Sequence, residues 1–219
     1  LDYGSDKEAQ NRFQKRPLHD AAERGYFEVV QLLIDQGADI ECRASNKFSP
    51  LHIACEKGRG SVVAVLLTHG ADKEALAHSK LRPIHVAAEQ GHAAVVRALL
   101  AHGAERDAKD RDQRTPLFLS AEKGHTAVVQ ALLDQGADLG AGNVQGVTPL
   151  DVAQVRGHKA SAKILSEVAA ATPKVSPQHQ RLSRSLVQGA RRELYREVLR
   201  SSACRGFLRR PTTQQSRRP

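Results

Sequence analysis

Five prolines constrain this chain more than any other feature: Pro17, Pro50, Pro83, Pro116 and Pro149 stand 33 residues apart, each preceded by a glycine 13 residues earlier, at Gly4, Gly37, Gly70, Gly103 and Gly136. A fixed period of this length predicts an array of small units stacked on one another instead of one closed core. Apolar residues make up 40% of the chain and aromatics only 4%, so the core must be built from Leu, Val, Ile and Ala, which suits short helices packed closely.

The stretch Thr115 to Asp138 shows how one unit folds. Thr before Pro fits a helix start: the hydroxyl accepts an orphan backbone N–H, and proline at the first helical position loses no hydrogen bond. Leu117, Leu119, Ser120 and Ala121 then form a helix of about two turns, which Gly124 terminates. Val128, Val129, Leu132 and Leu133 follow at helical spacing and predict a second amphipathic helix ending near Gly136. The polar remainder, up to the next Thr-Pro, predicts a hairpin-like loop. Neither helix can bury its apolar face alone, so neighbouring units must supply the partner surface.

The repeated hexapeptide carries a family resemblance. It stands as RPLHDA from Arg16, SPLHIA from Ser49, RPIHVA from Arg82, TPLFLS from Thr115 and TPLDVA from Thr148. This is similar to the T-P-L-H-x-A signature of the ankyrin repeats, which share the 33-residue length. The resemblance spans about residues 4–169 and implies an all-α solenoid of stacked antiparallel helix pairs with hairpin-like loops projecting to one side. The expected units are 11–43, 44–76, 77–109, 110–142 and a capping unit 143–171, with 1–10 closing a preceding unit. The chain begins at Leu1 and contains no methionine, which is the further ground for expecting a segment of a longer protein with at least one more repeat upstream.

Departures from the signature are informative. Arg16 and Arg82 replace the capping Thr, an exchange expected to cost each helix start about 0.5–2 kcal/mol. Phe118 and Asp151 replace the signature His. In the last unit Ser161, Ala162 and Ser166 stand where other units have apolar residues, and Ala169 stands in place of the glycine, as expected where an outer face meets water.

Catalysis and metal binding find little support. Of the ten histidines, His19, His52 and His85 share one position of the unit, His92, His125 and His158 a second, and His69 and His102 a third; only His78 and His179 fall outside the phase. Copies presented by successive units serve their own units and do not converge on one ion. Cys42, Cys55 and Cys204 form no metal or redox motif and read as reduced structural thiols. Glu23, Glu56, Glu89 and Glu122 recur in phase as a solvated column rather than a catalytic pair. No run of 18 apolar residues and no leader sequence is visible. The chain is therefore expected to be a non-enzyme without cofactor, cytoplasmic or nuclear in location.

Binding of another protein is the expected function, and the family resemblance places it on the loop tips and the first-helix face. Carried onto this chain, those positions are Phe13, Phe48, Leu81, Arg114 and Val147 in the loops and Glu23, Arg24, Glu56, Lys57, Glu89, Gln90, Glu122 and Lys123 on the helices. Four of the loop residues are apolar where solvent favours polar ones, which marks either an interface or packing between adjacent loops.

Charge is uneven. Residues 172–219 hold 12 Lys and Arg against 2 Glu, whereas residues 1–171 hold 21 basic against 22 acidic residues. After a linker at 172–179, residues 180–205 predict a basic amphipathic helix with Leu182, Leu186, Ala190, Leu194 and Val198 on one face and Arg191, Arg192, Arg196 and Arg200 on others. A basic tail, 206–219, is expected to be disordered. Such a helix could cap the array, or meet a calmodulin-like acceptor or an acidic membrane; nucleic acid is the weakest of its possible partners.

Overall fold

The computed structural model describes residues 6–171; the predicted linker, basic helix, tail and tail-binding arginines lie outside them. The described residues form ten α-helices in five pairs and no strand. The first helix of each pair is α1 (Pro17–Arg24), α3 (Pro50–Glu56), α5 (Pro83–Gln90), α7 (Pro116–Lys123) or α9 (Pro149–Arg156). The second is α2 (Phe27–Asp35), α4 (Gly60–Thr68), α6 (Ala93–Ala101), α8 (Thr126–Asp134) or α10 (Lys159–Ala171). First helices pack on first helices and second on second, giving two rows joined within each unit. The architecture is an all-α repeat solenoid.

Proline opens every first helix, and the residue before it decides how the helix is capped. Ser49, Thr115 and Thr148 accept a backbone N–H from the third helical residue. Arg16 and Arg82 provide no side-chain cap. Their guanidinium groups instead bridge neighbouring turns, Arg16 to Glu8 and Asp39, Arg82 to Glu74 and Glu105. The expected loss of a cap is thus set against contacts between units that threonine could not make. In the last unit, where no glycine stops it at position 169, α10 runs for 13 residues against nine in the other second helices.

The core is a set of columns at the 33-residue period. Leu18, Leu51, Ile84 and Leu117 form one, and Leu33, Leu66, Leu99, Leu132 and Leu165 another, all fully buried or nearly so. Between first helices the buried residues are small, Ala21, Ala54, Ala87, Ser120 and Ala153, so the row can pack closely. Val62, Val95 and Val128 are no more than 1% exposed because the preceding unit covers them. Their counterpart Val29 is 43% exposed, beside the open side chains of Tyr26, Phe27 and Leu32.

Candidate functional site

Each unit projects a hairpin tip ahead of its first helix. The tips close by paired backbone bonds: Ala44 N–H donates to Phe48 O and Lys47 N–H to Ala44 O, and the same pairs recur at Asn11, Asp110 and Asn143. Closing so tightly requires a left-handed residue at one fixed place, which is Gln14, Lys47, Lys80, Gln113 or Gly146. In the third tip, Ser79 adopts this conformation as well, and a single 3-10 turn (His78–Lys80) results. Neighbouring tips are tied together where Ser45, Arg111 and Val144 donate backbone N–H bonds to the carbonyls of Phe13, Ser79 and Asp112.

Side chains in phase hold the tips to the helices. The buried His19, His52 and His85 each accept the backbone N–H of the residue before proline on Nδ1. On Nε2 they donate forward, to the carbonyls of Phe48, Leu81 and Ala108 at 3.0–3.2 Å. The expectation that each histidine serves its own unit is therefore corrected for His19 and His52, which bond their units to the next, whereas His85 bonds Ala108 within its own. Burial pushes all three imidazoles below their ordinary range, His52 to about 4, so they are neutral with the proton on Nε2. Phe118 keeps the burial but not the bond, and Asp151 keeps only the cap, accepting the Thr148 N–H and hydroxyl.

A second set links backwards. His92, His125 and His158 donate Nε2 bonds to the carbonyls of Glu56, Glu89 and Glu122, and Arg59 reaches Glu23 O in the same way. The glycines at these helix ends are doubly required: Gly91 and Gly124 have φ of +83° and +78°, and a Cβ there would lie 2.5–2.9 Å from the His125 and His158 rings. A third set was legible but not anticipated. Glu8, Glu41, Glu74 and Asp107 stand 33 apart, and each accepts the backbone N–H of a residue 31 positions later in the following turn.

These bonds change the standing of the predicted contact residues. Phe13 is out of phase with Phe48, since Lys15 holds the equivalent place; it is also the only one of the five loop residues that is freely exposed, at 50%. Phe48 is half-buried and stacks on the His52 ring, with centroids 5.2 Å apart. Leu81 is half-buried, and Arg114 is held by Asp110 at 2.8 Å. Val147 is 4% exposed and withdrawn from the surface. Phe48 thus rests on its own unit's first helix, and Leu81 and Val147 are wholly or partly withdrawn from solvent. Besides Phe13, Leu76 and Val144 are outward apolar residues of the tips, at 52% and 57%.

On the first-helix face the carboxylates are not a simple solvated column. Glu23 meets Lys57, Glu89 meets Lys123 and Glu122 meets Arg156, each pair joining successive units. Lys15 hydrogen-bonds Glu23 and lowers its carboxyl below the ordinary range. Glu56 departs from this, because the residue opposite is Gln90 and its partner is the adjacent Lys57. Arg24, Lys57, Gln90 and Lys123 remain exposed.

No group of three or more metal-ligating side chains lies together among the described residues, and no described helix is long and apolar enough to cross a membrane. Cys42 and Cys55 are buried, and burial pushes the Cys42 thiol up to about 12 and Cys55 further, so neither is a thiolate nucleophile. An open depression of about 410 Å³ near Leu100, Glu105, Asp107 and Gln135 includes none of the predicted contact residues.

A row of braced tips beside a row of first helices, repeated on one lattice with different outward side chains, defines a repeat scaffold. The chain belongs to the ankyrin-repeat family: the model for ankyrin repeats in three copies matches residues 1–77 and 79–175. Ankyrin repeats are generic protein–protein interaction modules and are typically non-catalytic. No curated protein matches the chain.

Proposed function

We propose that this chain is a non-catalytic scaffold that holds a partner protein on its tips and on the exposed side of its first helices. The observation that carries this reading is the contrast between a repeated lattice and a varied surface. The buried positions hold the same small set of residues from unit to unit, while the outward helix position runs Arg24, Lys57, Gln90, Lys123 and Arg156 and the tips differ throughout. Lys57, Lys123 and Arg156 pair with carboxylates of the preceding unit, but exposed ion pairs contribute little to stability, so the outward positions are largely free to be written for a partner.

The competing site is the basic segment after residue 171, with Arg191, Arg192, Arg196 and Arg200 directed to a calmodulin-like protein, an acidic membrane or nucleic acid. Capture of partners by residues 1–175, compared with the full chain, separates the two, since 1–175 is a compact unit by itself. Capture retained by 1–175 and lost on Arg24→Glu with Lys123→Glu supports the scaffold. Loss of all capture on truncation, with steep salt dependence in the full chain, refutes it.

A further inference from the structure

The tips and the remainder of the array carry opposite charge. Residues 10–15, 43–48, 76–81 and 109–114 span the first four tips and hold eight Lys and Arg against two Asp. The rest of residues 1–171 is left with 13 basic and 20 acidic residues. Three tip cations are spent within the fold: Lys15 pairs with Glu23, Arg43 with Glu41 and Arg114 with Asp110. Arg12, Lys47, Lys80, Lys109 and Arg111 are exposed and take part in no ion pair among the described residues. A like-charged row left uncompensated on a protein that pairs most of its other charges repels itself. It is the arrangement that selects a partner by complementary charge.

We propose that the tip row binds an extended acidic protein segment whose carboxylates recur at every third residue, an inference that rests on the tip-binding reading above. Helices packed side by side lie about 8–10 Å apart, and an extended chain advances about 3.3 Å per residue, so successive tips meet every third residue of such a segment. The tips need little ordering to receive it, because each is closed by its own backbone bonds and several are bonded to a neighbour. Apolar side chains of the segment have Leu76 and Val144 to rest on, both more than half exposed. A nucleic acid strand fits the row less well. It would stack its bases on aromatic rings, but the outermost tip positions are Phe13, Asn46, Ser79, Asp112 and Gln145, and the Arg12 guanidinium already covers the Phe13 ring at 4.7 Å.

The test uses the full chain and fluorescence anisotropy with three labelled probes: a peptide of five Glu-Gly-Ser triplets, its isomer with the five Glu in one block, and a 15-nucleotide single strand of DNA. The spaced peptide is expected to bind tightest, and K47Q/K80Q/R111Q to weaken it about tenfold or more at 50 mM salt, with an unchanged melting temperature because these side chains are exposed. R191Q/R192Q/R196Q/R200Q is expected to leave its affinity within about twofold. Equal binding of the two peptides, tighter binding of the DNA, an unaffected tip variant, or loss confined to the tail variant each overturns the proposal. A peptide of Lys-Gly-Ser triplets distinguishes the two levels of failure. If its binding responds to the tip variant, the tips bind protein but not acidic protein; if no peptide of either sign responds, the tip-binding reading falls as well.

Discussion

Acid should unfold this protein from its histidines before its carboxylates. His52 is fully buried, with Nδ1 facing the Ser49 backbone N–H at 3.3 Å and Nε2 donating to Leu81 O at 3.2 Å. A second proton would go on Nδ1, which the Ser49 backbone N–H faces and the Ser49 hydroxyl approaches at 2.9 Å, and the resulting charge would be fully buried. Burial accordingly lowers this imidazole from 6.5 to about 4. Between those values the unfolded chain binds a proton that the folded chain refuses, so stability rises with pH across the window and is lost as pH falls from 6.5 toward 4. At pH 5 the difference spans about 1.5 pH units at about 1.4 kcal/mol each, or about 2 kcal/mol from His52 alone. His19 and His85 are shifted in the same direction and add to it. Urea unfolding followed by circular dichroism at pH 7.5, 6 and 5 reads this directly. Carboxylates, with unfolded values near 4, contribute mainly below that range. The fourth unit supplies the control, because Phe118 occupies the same position and does not titrate. His52→Phe should lower stability at pH 7.5 through the lost bond to Leu81 and show a loss between pH 7.5 and 5 smaller by about 2 kcal/mol. If the variant and the parent lose the same stability over that range, the neutral buried His52 is wrong.

Three further outcomes are expected. Phe48→Ala with Leu81→Ala should lower the thermal midpoint, by about 1–3 kcal/mol of stability in all, since Phe48 stacks on His52 and both residues are half-buried; an unchanged melt would return them to the surface. Gly124→Ala should cost more than about 1 kcal/mol, from the left-handed backbone and the crowded His158 ring together. A double-mutant cycle with His158→Ala should recover part of that loss in urea, and strict additivity would show that the ring is not the obstacle. Arg82→Thr exchanges ion pairs with Glu74 and Glu105 for a helix cap. It should be near neutral at 50 mM salt and stabilising by about 0.5–1 kcal/mol at 1 M, where screening removes the pairs but not the cap; a variant destabilised equally at both salts would contradict this.

Most of the helix pattern was legible because it depends on local chemistry repeated five times. Pro116 and Gly124 bracket α7 by what proline and glycine do to any backbone, and Val128, Val129, Leu132 and Leu133 mark the buried side of α8 by spacing alone. The surface is less legible. The polar loop around Phe48, Leu81 and Val147 suggests exposure, yet in a hairpin alternate residues face opposite ways, and a shift of three residues separates Val147 at 4% exposure from Val144 at 57%. Phe13 shares its residue type with Phe48 but not its phase, which Lys15 holds.

The sequence by itself determined the unit, its two helices, their number and the family, because each of these follows from periodic signals within 33 residues. Only the tertiary structure decided what joins one unit to the next. His52 reaching Leu81, His92 reaching Glu56 and Glu41 reaching Asp72 are contacts across 29 to 36 residues, and phase shows that such residues recur without showing where they point. The physical reason is that a helix start or stop is set by neighbours along the chain, whereas the partner of a polar side chain is whatever group stacking brings within about 3 Å.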